Sequence, residues 1–158
     1  MADPHSKPGL TLVSTPIGNL GDISLRAIEA LRSADKILCE DTRVSKKLLE
    51  KHGIVSRLSN YHEHNAKLVR PKIIDGLKAG AKIVLISDAG TPSISDPGYQ
   101  LVKACIKNDL KISTVPGPTA LIAALTISGL PTDSFYFGGF LPNKRNARLK
   151  KLLEKIKI

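Results

Sequence analysis

Cysteine is scarce in this sequence: Cys39 and Cys105 are the only two, far apart and each inside an apolar segment. That usage points to reduced core thiols rather than to a disulfide framework or a cysteine metal site. Long hydrophobic runs are also missing. The longest, Ala120 to Leu130, is interrupted by Thr126, Ser128 and Gly129 and falls short of the ~20 residues that a membrane-spanning helix needs. The opening MADPHSKP has neither the basic start nor the apolar middle of a secretory signal. Together these absences lead to the expectation of a soluble, cytoplasmic protein. Acidic residues are in short supply as well, 14 against 24 Lys and Arg, so the net charge is +10. A chain this basic attracts polyanions whatever their sequence.

What is present suits one compact domain and part of another. Of the 158 residues, 42% are hydrophobic and 24% charged, enough apolar material for a packed core and too little net polarity for disorder. The positive charge is unevenly spread. Residues 144–158 hold seven cations, among them Lys144, Arg145, Arg148 and Lys151, and one acid, Glu154. Such a run is either a solvated helix face or a nucleic-acid patch.

Apolar stretches of four or five residues alternate with segments of helical periodicity. Strands are expected at 10–14, 36–39, 57–60, 82–86 and 111–115. Helices are expected at 24–33, 43–52, 66–79, 98–107 and 119–127. Alternation of this kind implies parallel pairing, hence an α/β fold built on a doubly wound, mainly parallel five-stranded sheet. A further strand is expected at 134–140 and a basic helix at 146–158. The resulting division is a disordered leader over 1–9, an α/β domain over 10–117, and the start of an incomplete second domain over 118–158.

Three segments following strands are rich in Gly, Pro, Ser, Thr and Asp: 14–22, 87–98 and 115–119. In an open parallel sheet all three fall on the edge where ligands bind. Gly allows close approach of backbone, Pro stiffens it, and the short polar side chains supply donors and acceptors. A dinucleotide does not fit the first loop. Its TPIGNLGD departs from the G-x-G-x-x-G spacing, Pro16 has no N–H to offer a pyrophosphate, and Asp22 would repel one. A cationic sulfonium donor suits carbonyl-rich, Asp-bearing loops better. Asp88 is placed to accept from its ribose or ammonium, and the N–H groups of Gly90 and Thr91 to meet its carboxylate. Asp96, just before Pro97, is expected to cap the following helix.

The runs LVSTPIGNLGDISLRAIEALRSADKILCEDTR (12–43), NYHEHN (60–65), LISDAGTPSISDPG (85–98), VPGPTALIAAL (115–125) and GGFLPNK (138–144) closely resemble the ribosomal RNA small subunit methyltransferase I group of the tetrapyrrole methylase superfamily. The resemblance implies an S-adenosylmethionine enzyme that methylates the ribose 2′-hydroxyl of a cytidine in small-subunit ribosomal RNA. It implies two α/β domains with the cofactor between them, and a homodimer. Carried over by motif, Pro16, Asp88, Ala89, Gly90, Thr119, Ala120 and Leu141 are the expected cofactor contacts. Lys144, Arg145, Arg148 and Lys151 are the expected RNA contacts. Members of the group continue through a complete second domain, which this sequence does not contain.

A ribose hydroxyl is a weak nucleophile, so a proton acceptor or charge-stabilising group is looked for near the strand ends. Asp41 and Arg43, leaving the second strand, and His62, in the His62-Glu63-His64 run, are the candidates. No third ligand stands at a spacing that would make the histidines a metal site. Tyr61, Tyr99 and Tyr136 are candidates for stacking on bases, with core or rim packing as the alternative. Two other readings stay open: methylation of a corrin or porphyrin ring by the same fold, and a non-catalytic RNA-binding module.

Overall fold

The computed structural model describes residues 8–155 of the chain, so residues 1–7 of the leader expected over 1–9 and residues 156–158 of the expected basic helix lie outside the described residues, while Gly9, expected in that leader, opens the first strand. Five strands form the sheet: β1 (Gly9–Val13), β2 (Lys36–Cys39), β3 (Leu58–Asn60), β4 (Lys82–Ile86) and β5 (Ile112–Val115). They lie in the order β3-β2-β4-β1-β5, and every pairing is parallel. Six α-helices accompany them among the described residues: α1 (Leu25–Ser33), α2 (Thr42–Lys51), α3 (Glu63–Lys78), α4 (Tyr99–Lys107), α5 (Ala120–Thr126) and α6 (Arg145–Lys155). The α/β fold expected from the sequence is the fold observed.

Alternation along the strands divides the core in two. Val13, Ile37, Cys39, Val84, Ile86 and Val115 face Ala27, Ala30 and Leu31 of α1 and Leu48 and Leu49 of α2. Leu10, Leu38, Ile83 and Leu85 point the other way, toward Ile73, Ile74 and Leu77 of α3 and Leu101 and Cys105 of α4. A period of two thus delivers one set of side chains to each helical layer. Both cysteines are buried free thiols.

Three local readings need correction. Helix α3 begins at Glu63, three residues ahead of the expected start, because the Asn65 side chain accepts the His62 N–H at 3.0 Å and closes the first turn. Asp96 does not cap α4: that position belongs to Gly98 at φ 137°, where a Cβ would run into Ser93 and Leu85. Residues 134–140 form no strand. A lone strand leaves its backbone groups unpaired, and no described strand pairs with this stretch. No described residue after Val115 is buried, although Ile127, Leu130, Phe135, Phe140, Leu149 and Leu153 are all large, apolar and exposed.

Candidate functional site

The sheet order makes β4, β1 and β5 neighbours, so the loops leaving their carboxyl ends meet. Thr15 and Gly90 exchange backbone hydrogen bonds: the Thr15 N–H donates to the Gly90 carbonyl at 2.9 Å and the Gly90 N–H to the Thr15 carbonyl at 3.0 Å. The Thr15 hydroxyl donates to the Ser87 carbonyl at 3.0 Å. Three hydroxyls then run across the rim. Ser14 Oγ lies 3.1 Å from Thr91 Oγ1, which lies 3.0 Å from Thr119 Oγ1. Each of the three loops contributes one member, and the sharing of hydrogen bonds fixes their spacing. Gly117 lets the third loop close in, since a Cβ there would sit 2.9 Å from the Ser14 Cβ.

The loop at 87–98 follows a tight path. Ser93 and Ser95 have φ of 72° and 56°, the left-handed region that non-glycine residues avoid, and Gly90 shares it at 83°. For the two serines such conformations cost about 1 kcal/mol or more each and persist where surrounding contacts hold them, whereas glycine adopts them freely. Here they carry the chain around a cavity of about 300 Å³ whose lining includes Ile17, Gly90, Thr91, Asp96, Thr119 and Phe140. Phe137 and Phe140 close one side edge to face, centroids 6.4 Å apart at 87°.

Of the seven expected cofactor contacts, four line this cavity: Ala89, Gly90, Thr119 and Ala120. Pro16 and Asp88 line a separate cavity of about 50 Å³ with Thr15, Ser45 and Ser87. Leu141 lines neither and is 43% exposed; its neighbour Phe140 takes the place in the wall. The Gly90 N–H, expected to meet a ligand carboxylate, is instead committed to Thr15. Asp88 Oδ1 accepts the Asp41 backbone N–H at 3.1 Å, tying this loop to the end of β2.

Asp96 is the residue that sequence reasoning placed wrongly. It lines the 300 Å³ cavity and also a second one of about 550 Å³. Burial, reinforced by the nearby carboxylates of Glu40 and Asp88, raises its pKa above the usual carboxylate value, with the Ser87 hydroxyl pulling in the opposite direction. A Ser-Asp-Pro run reads locally as a turn, so only the packing reveals this environment.

Asp41, Arg43 and His62 come together around a further cavity of about 460 Å³, which Asp88 and His64 also line. Asp41 caps α2 by accepting the Arg43 N–H at 2.8 Å, and its two oxygens hold the Arg43 guanidinium at 2.6–3.2 Å. The Arg43 side chain holds the Asp41 carboxyl down at a pKa of about 2. A carboxylate so stabilised is a weak base. The His62 and His64 rings meet edge to face with centroids 6.0 Å apart. Among the described residues no three His, Cys, Asp or Glu side chains gather as metal ligands.

The expected RNA contacts lie elsewhere. Lys144 precedes α6, and Arg145, Arg148 and Lys151 belong to it; the first three are exposed and join no ion pair among the described residues. Lys151 Nζ donates to the Phe140 carbonyl at 2.8 Å, linking the basic helix to the cavity wall. No helix among the described residues is long and apolar enough to cross a membrane.

Residues 9–157 match the family model of the Tetrapyrrole (Corrin/Porphyrin) Methylases. The chain belongs to this family. Among curated relatives of this tetrapyrrole methylase, the Ribosomal RNA small subunit methyltransferase I of Mesorhizobium japonicum is 56% identical over 92% of the chain and 50% of its own length. The protein of the same name from Vibrio cholerae is 50% identical over 98% of the chain and 54% of its own length. That of Thermotoga maritima is 47% identical over 94% and 66%. The chain therefore spans about half the length of the first two relatives.

Proposed function

We propose that the protein is an S-adenosylmethionine-dependent methyltransferase acting on the ribose 2′-hydroxyl of a cytidine in small-subunit ribosomal RNA, cytoplasmic and working as a homodimer. The observation that carries the reading is the hydroxyl chain Ser14–Thr91–Thr119, which ties three loops into one rim around the 300 Å³ cavity. Relatives about 50% identical over nearly the whole chain bear the name Ribosomal RNA small subunit methyltransferase I. The basic α6 favours a polyanionic substrate over a porphyrin or corrin ring.

The cavity suits a sulfonium compound by its chemistry. Asp96 brings a carboxylate, Phe137 and Phe140 bring aromatic rings, and Thr91 and Thr119 bring hydroxyls; all of these attract or accept from a cationic ligand. In this reading Ala89, Gly90, Thr119 and Ala120 hold the donor directly, Pro16 and Asp88 brace the loops, Asp88 through its bond to the Asp41 N–H, and Leu141 packs outside. When bound, S-adenosylmethionine supplies an electrophilic methyl group. The chain's contribution is then mostly positional, since an in-line displacement gains chiefly from orientation. The Asp41–Arg43 pair presents a guanidinium to backbone phosphate. His62, lining the same cavity, takes the hydroxyl proton. Lys144, Arg145, Arg148 and Lys151 contact the RNA backbone. The stretch from 118 onward is the opening of a second domain, a reading supported by its lack of buried residues.

Calorimetry with S-adenosylmethionine tests the reading at its base: saturable one-site binding is expected. Transfer of a labelled methyl group to small ribosomal subunits, mapped to a single cytidine ribose, tests the rest. Absence of donor binding, or a label found on a base or a macrocycle, overturns it.

A further inference from the structure

The 550 Å³ cavity beside the rim has features that donor binding does not use. Its wall includes Tyr61, Glu63, His64, Arg70, Asp96 and Tyr99. Tyr61 is 1% exposed, and its hydroxyl is buried without a hydrogen-bond partner among the described residues. The Nε of Arg70 is likewise buried and unpartnered. Buried polar groups are nearly always paired, so two residues of one cavity wall that each carry a donor without a partner among the described residues point to a ligand that presents acceptors and draws those donors toward it.

The charges narrow its chemistry. A phosphate would gain from Arg70 but would meet the carboxylates of Glu63 and Asp96, and like charges at close range oppose its entry. A neutral ring with acceptors along one edge and an amino group beside them satisfies both sets: Tyr61 and Arg70 donate, and a carboxylate accepts from the amino group. Nucleobases offer this pattern; uracil alone among the four common RNA bases lacks the amino group, and where cytosine has a ring-nitrogen acceptor beside that group uracil carries an N–H, which donors such as Tyr61 and Arg70 cannot pair with. Tyr99, 61% exposed, brings an aromatic ring to the same wall, where a base can stack. Asp96 belongs to this cavity and to the 300 Å³ one, so a nucleoside seated here lies next to the donor.

We propose that the cavity between α3 and the loop at 87–98 seats the target nucleobase, and that Tyr61, Arg70 and Asp96 select an amino-bearing base over uracil. The inference rests on the methyltransferase reading in one respect, that the seated nucleotide is the methyl acceptor.

The test compares two hexaribonucleotides that differ only in a central cytidine or uridine, at one ionic strength, by fluorescence anisotropy. S-adenosylmethionine binding is measured in parallel by calorimetry on the same chain. Cytidine is expected to bind about five- to tenfold more tightly, the size of one or two hydrogen bonds. Tyr61→Phe and Arg70→Met should each remove most of that preference and leave donor affinity unchanged, because neither residue lines the donor cavity. Should Tyr61→Phe fail to fold, Arg70→Met carries the comparison, since Arg70 is only half-buried. Equal binding of the two oligonucleotides, no binding of either, or a preference that survives both substitutions overturns the proposal, while intact donor binding leaves the methyltransferase reading in place. Base preference without donor binding supports the nucleobase seat and removes the donor reading instead.

Discussion

Thr91 Oγ1 lies 3.0 Å from Thr119 Oγ1 and 3.1 Å from Ser14 Oγ, so one side chain joins loops that are 28 and 77 residues apart in the chain. Thr91→Val keeps the shape and removes both bonds. A typical intramolecular hydrogen bond contributes about 0.5–1.5 kcal/mol, so the variant should lose about 1–3 kcal/mol of stability by denaturant titration. Donor affinity should fall about tenfold or more as the rim loosens. A variant that melts like wild type and binds the donor equally well would deny the hydroxyl chain its structural role.

Two glycines make opposite predictions. Gly117→Ala puts a Cβ 2.9 Å from the Ser14 Cβ, a contact between two short side chains with little room to yield. Overpacking of this kind costs about 1–3 kcal/mol, and here it also spreads the rim. Gly76→Ala, inside α3, meets only Ile83 Cδ1 at 3.8 Å. It should stabilise the protein by about 0.5–1 kcal/mol, because alanine loses less backbone entropy in a helix. Thermal unfolding of the pair checks both signs.

Asp96 should make stability fall as pH rises. Its pKa is raised above the ordinary 3.8 by burial and by Glu40 and Asp88. A carboxyl that binds its proton more tightly when folded stabilises the fold below the unfolded pKa, and that gain is lost as pH climbs to the folded value. Glu63, His64, Arg70 and Tyr99 share a cavity wall with it, so the effect belongs to a charged neighbourhood. Asp96→Asn should therefore raise the melting temperature at pH 7, with the difference vanishing below about pH 4. A substitution that destabilises at pH 7 would show that the charged carboxylate is held by favourable contacts.

The thiols should be inert while the protein is folded. Burial pushes Cys105 up to about 11 and Cys39 upward as well, and the thiolate is the reactive form. A chromogenic disulfide reagent at pH 8 should label neither in native protein and both after unfolding. Rapid native labelling would place one thiol at an accessible site.

Neutralising the basic helix should change how RNA binding responds to salt. On single-stranded RNA, each phosphate that a protein neutralises steepens the fall of log affinity against log salt by about 0.7. Replacing Lys144, Arg145 and Arg148 with Gln should therefore make that slope shallower by about 2, with no effect on donor binding. An unchanged slope would mean that α6 points away from the nucleic acid.

The strands, most helices and the three polar loops could be read along the chain because each depends on neighbouring residues. Val84 and Ile86 alternate with Ile83 and Leu85 whatever surrounds them, and Gly and Pro punctuate turns through their own backbone limits. The errors arose where distant partners intervene. Residues 134–140 have strand-like composition, but no described strand pairs with them. Asp96 looks like a cap, yet Gly98 holds that place because Ser93 and Leu85 crowd it. Leu141 stands one residue beyond Phe140, which lines the cavity, and an unpaired segment has no register to set which of the two faces inward.

Local periodicity and turn chemistry were enough to specify a parallel α/β sheet and to mark the edge that carries its chemistry. They could not specify that β4, β1 and β5 would lie side by side, nor that the Ser14, Thr91 and Thr119 hydroxyls would meet or that the Tyr61 hydroxyl would be buried with no partner among the described residues. Strand order and burial follow from contacts between segments tens of residues apart, and no short window of sequence contains both halves of such a contact.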